Sequence, residues 1–92
     1  MPRYFFHRTD GGFLPDRDGT ELHDVETARV EAVQFAAGTI RDRPDYVWDG
    51  RDFRVEVADE AGMLLCTVIV LGIDAPAVRD GQLDPPPGPS AG

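Results

Sequence analysis

Lysine is absent from this chain. All nine cations are arginines, set against seventeen acidic residues, and the formal net charge is −8. Such a balance argues against a protein that tracks phosphates, which needs clustered basic side chains. No nucleic-acid partner is therefore expected. The acidity suits a soluble surface, a basic protein partner, or mimicry of nucleic acid. The exclusive use of arginine is attributed to a GC-rich coding bias.

Cysteine occurs once, at Cys66, so no disulfide can form within the chain. Leu65 and Thr67 flank it and offer none of the positive charge that activates a thiol, so Cys66 reads as a small core residue. The apolar runs are too short to span a bilayer. No charged segment followed by an apolar one opens the chain. The expected compartment is a bacterial-type cytoplasm, with no membrane partner.

Signatures of chemistry are also missing. The two histidines, His7 and His23, fit no ligand spacing: there is no H-E-x-x-H and no cysteine pair. "DRDGTE" lacks the spacing of a calcium loop and reads as a turn. No phosphate-binding loop, nucleophile elbow or dinucleotide fingerprint occurs. The expectation is a non-catalytic protein with no cofactor and no metal. Tyr4, Phe5 and Phe6 could form a base-stacking platform, but only Arg3 and Arg8 flank them, so they read as strand and core.

What is present is a pattern of short elements. "RYFFHR" (3–8) reads as a strand, "TDGG" as a turn, and "FLP" as a brief second strand limited by Pro15. "TEL" is either a third short strand or an extended approach to a helix. Asp24 is placed to cap that helix, with Glu26 in its first turn. Val25, Ala28, Ala32, Phe35, Ala36 and Thr39 or Ile40 form its apolar stripe, with Phe35 expected as the main anchor. Pro44 ends it by about Asp42. The connector "RPDYVWDG" brings Tyr46 and Trp48, expected to cover one end of the core.

"RDFRVEVA" then alternates, with Phe53, Val55 and Val57 on one face and Arg54 and Glu56 on the other. "DEAG" is a hairpin loop in which Gly62 suits a left-handed position. "MLLCTVIV" returns. The order strand–strand–helix–strand–strand predicts an α+β two-layer sandwich, a small antiparallel sheet with one helix on one face. Residues 1–71 are expected to form this single domain, and 72–92, rich in proline and glycine, an uncored tail. "PPPGP" reads as part of a frayed terminus, and a turn of helix fits Ala75–Arg79.

The start "MPRYFFH", the "DGTEL-D" turn, the helix "ARVEAVQFA" and the hairpin "F-VEV-DE-G-LL-TV" together resemble a family of short bacterial proteins beginning M-P-R-Y-[FY]-F. That family is a domain of unknown function, so the resemblance implies the fold and no activity. It covers about residues 1–70. A weaker likeness, to HicB-type antitoxin domains, rests on a short antiparallel sheet before a helix with an E-A-x-x-x-A pattern. No DNA-binding appendage of the kind such antitoxins often carry is expected, and the second hairpin departs from theirs.

The composition leaves two readings. One is a small protein-interaction module, homodimeric or bound to another protein. The other is an antitoxin-like or nucleic-acid-mimicking inhibitor of a basic partner. The last strand supplies a candidate interface. Leu64, Cys66, Val68 and Val70 are assigned to its helix side, leaving Met63, Leu65 and Ile69 on a second face that one helix cannot cover. The connector aromatics or the tail could cover that face within one chain; the alternative is a second copy, sheet to sheet or edge to edge, with those three residues as the predicted contact.

Overall fold

The computed structural model describes residues 1–48 and 50–79. Its elements are β1 (Arg3–Asp10), β2 (Phe13–Leu14), β3 (Thr20–Glu21), α1 (Val25–Asp42), a 3-10 turn (Pro44–Val47), β4 (Phe53–Ala58), β5 (Leu64–Val70) and α2 (Pro76–Arg79). All strand pairs are antiparallel, in the order β2-β1-β4-β5, with β3 also paired to β1. This is the expected α+β architecture. Most of the predicted tail, including "PPPGP", lies outside the described residues. Gly72, at its start, donates its N–H to the carbonyl of Val47 and lies against the Trp48 ring.

Alternation decides which side chains form the core. Tyr4 and Phe6 of β1, and Phe53, Val55 and Val57 of β4, are buried on the helix side. Burial of each large side chain is worth roughly 1.5–3 kcal/mol. Phe5 lies on the opposite side of β1 from Phe6 and is only half-buried. Tyr46 caps the core end as expected, stacked 6.1 Å from Phe53. Trp48 lies against Gly72 and is 44% exposed.

Helix α1 begins at the predicted cap. The Asp24 carboxylate accepts the N–H and the hydroxyl of Thr27, both at 2.8 Å. Ala28, Ala32 and Ala36, four residues apart, are the helix positions with almost no exposure. Three alanines in line let the helix lie close to the sheet. Phe35 is therefore not the main anchor. One residue back from Ala36 is a rotation of about 100° around the helix, which carries Phe35 off the buried stripe and leaves it 37% exposed.

The last hairpin departs from the simple alternation as well. β4 and β5 pair in one register from Phe53↔Val70 to Val57↔Cys66, then shift to Ala58↔Leu64. Leu65 is the extra residue of this bulge. The shift reverses the facing of what precedes it. Leu65 packs on the core beside Cys66, Val68 and Val70, while Leu64 is 55% exposed.

Candidate interaction surface

The two edges of the sheet are built differently. The edge next to β1 is a broken strand. β2 pairs with Arg8 and Thr9, β3 with Arg3 and Tyr4, and between them the chain loops away from Phe5, Phe6 and His7. Asp16 fills the gap. Its carboxylate accepts the N–H of Phe6 at 3.1 Å, in place of a strand carbonyl, and also the N–H groups of Asp18 and Gly19. The N–H of Asp16 in turn donates to Nδ1 of His7 at 3.0 Å. Partial burial works to raise the Asp16 pKa. The three N–H groups, aided by His7, outweigh it and hold the carboxyl below its ordinary value. A short, interrupted edge with a proline and a side-chain plug is poorly suited to pairing with another chain.

β5 is the opposite edge, and among the described residues it has none of these protections. "LLCTVIV" runs for seven residues without a charge or a proline, and its bulge lies at one end. Long, uncharged edge strands of this kind are templates for a further strand. Beside β5 runs an open groove, walled on the other side by one flank of α1. Val30 and Val33 face Cys66 and Val68 in its first half, and Val33, Ala37 and Ile40 face Val68 and Val70 in its second. The halves enclose about 390 and 420 Å³. Val30 and Val33 are 58% and 54% exposed, although a helix ordinarily turns such residues inward.

The predicted contact residues do not meet in one patch. Met63 is exposed in the loop before β5, where its N–H donates to the Asp59 carboxylate. Ile69 is exposed on the face away from the helix. Leu65 is withdrawn to the core side by the bulge, so it is not part of an exposed face with Ile69. The neighbours of Ile69 on the outer face are Thr67, Glu56 and Arg54, so that face is mixed and polar. The larger apolar surface is the edge groove, and its helix half, Val30, Val33 and Ala37, was missed. The i, i+3, i+7 spacing of those three was the available signal.

Other groups have structural partners. Cys66 packs against the core. His7 serves the Asp16 loop, and no cluster of three or more metal-ligating side chains occurs among the described residues. A second groove of about 470 Å³ lies on the far flank of α1, between Phe35 and Glu31 on the helix and Phe6, Arg8 and Leu14 on the sheet side. Near its end Arg8, Arg43 and Arg51 gather within 5.9 Å of the Tyr46 ring centroid. Arg43 also makes two bonds to Asp45, which raise the guanidinium pKa and lower that of the carboxyl. This cluster ties the 3-10 turn to the sheet end.

Residues 3–72 match a family described as a domain of unknown function, DUF6894, and the chain belongs to that family. No match is found among curated proteins, and none among solved structures.

Proposed function

We propose that the chain is a small, non-catalytic protein-interaction module that binds its partner along β5 and the adjoining flank of α1. One observation carries this reading: the sheet blunts its β1 edge with a broken strand and an Asp16 plug, yet β5 is long, uncharged and beside a groove whose second half is apolar. A second observation, the net charge of −8, favours an acidic inhibitor of a basic partner as the alternative. No helix among the described residues is long and apolar enough to cross a membrane, and the proposed setting is the cytoplasm.

A capture experiment with the full chain as bait separates the two. The edge reading expects wild-type bait to retain a polypeptide, its own copy or another, that Val33→Glu bait loses while keeping its helical spectrum. The acidic-inhibitor reading expects capture that survives Val33→Glu and vanishes at about 0.5 M salt, where charges are screened beyond about 4 Å. Equal capture by both baits at low and high salt contradicts both.

A further inference from the structure

We infer that the partner of the β5 edge is a second copy of this chain, paired β5 to β5 antiparallel about a two-fold axis, with the α1 helices packed across that axis. This rests on the edge-binding reading above and names its occupant. Three observations converge on it.

The first is alignment. α1 runs alongside β5 in the same direction: Val25 and Leu65 line one depression near the start of both, and Ile40 and Val70 line another near their ends. Val33 and Val68 are shared by the two halves of the groove. The midpoint of the exposed helix flank thus lies over the midpoint of the edge strand, and a single two-fold axis serves both.

Spacing is the second. Paired strands lie about 4.8 Å apart, so each β5 would sit about 2.4 Å from the axis and each β4 about 7.2 Å. α1 contacts both β4 and β5. A helix seated above the space between them lies about 5 Å from the axis, which puts the two helices about 10 Å apart. Helices pack at about 8–10 Å. Joining the strands therefore brings the helices to about their packing distance.

The third is charge. Glu26, Arg29, Val30, Val33, Ala37 and Arg41 all line the groove, at spacings that keep them on one flank, and Arg29 already holds Glu26 at 3.3 Å within the chain. Laid antiparallel against its own copy with Val33 near the axis, this flank sets Val30 opposite the partner's Ala37. It also sets Glu26 opposite the partner's Arg41, twice by symmetry. An acidic chain meeting itself must avoid like charges at the contact. In this pairing Glu26 lies between its own Arg29 and the partner's Arg41, and β5 carries no charge.

The test is light scattering after size exclusion with the full chain at about 50 µM. The expected mass is twice 10.1 kDa. Val33→Glu should raise the dimer dissociation constant at least tenfold with the far-ultraviolet spectrum unchanged. Glu26→Arg and Arg41→Glu should each weaken the dimer several-fold, and their combination should restore it. Should Val33→Glu fail to fold, a second variant decides. Val33→Cys in a Cys66→Ser background should oxidise to a covalent dimer, and Leu14→Cys, on the other edge, should not. A monomer at 50 µM overturns the inference, as does a dimer that neither crosslinks at position 33 nor responds to charge reversal. A monomer whose capture of a foreign polypeptide is lost with Val33→Glu overturns the second copy alone and leaves the edge reading standing.

Discussion

The Asp16 carboxylate takes the place of a missing strand at Phe6. Its Oδ2 accepts the Phe6 N–H at 3.1 Å where the edge strand is interrupted. Removing that acceptor leaves a partly buried N–H without its partner, which costs on the order of 1–3 kcal/mol. Asp16→Ala should therefore lower the thermal midpoint by several degrees, with loss concentrated in the β1–β2 edge. An unchanged midpoint would show that water replaces the carboxylate without cost.

The same carboxylate predicts a pH dependence. The Asp16 and Asp24 carboxyls are held below their ordinary value of 3.8 in the fold. A lowered folded value means that the stabilisation is complete well above 3.8 and is lost as pH falls through the folded values. The stability gap between wild type and Asp16→Asn should be widest near pH 7 and narrow steadily below about pH 4.5. Thermal melts across that range check it, and a gap independent of pH contradicts it.

Phe6 and Phe5 should respond unequally. Phe6 is 8% exposed against the helix, and Phe5 is half-buried on the other side. Phe6→Ala should cost on the order of 3–5 kcal/mol, which approaches global unfolding for a domain of this size. Phe5→Ala should cost less. Urea titrations of both variants give the comparison, and equal losses would contradict the assigned facing.

Gly72 and Trp48 offer an optical test. A Cβ on Gly72 would lie 2.8 Å from carbons of the Trp48 ring, too close for contact. Gly72→Ala should displace the ring, and since Trp48 is the sole tryptophan, its emission should shift to the red. An unshifted spectrum would show that the ring does not sit against Gly72.

Much of this fold was legible in the sequence because it rests on local rules. The Asp24 cap, the alternation of Phe53, Val55 and Val57, and the Gly62 turn, with φ of +84°, each follow from a few neighbouring residues. What escaped depends on residues far apart. The bulge at Leu65 arises from the pairing with Val57 and Ala58 across the hairpin, and it inverted the facing assigned to Leu64 and Leu65. Phe35 looked like an anchor because size suggests burial, yet the alanine stripe sets how close the helix lies and turns Phe35 aside. The candidate site suffered most. Ile69 and Met63 are exposed as expected, but the groove needs Val30 and Val33 from α1 placed beside Val68 of β5. No stretch of sequence shows that placement.

The central claim is that β5 is a working edge that a second copy completes. Amide hydrogen exchange resolved along residues 64–70 tests it most directly, because only edge pairing protects the outward N–H groups, every second residue of the strand. The account predicts that those amides exchange slowly at about 200 µM and at least tenfold faster on dilution into the monomer range, while β4 amides stay protected at both. Outward β5 amides that exchange at one fast rate at every concentration would contradict it.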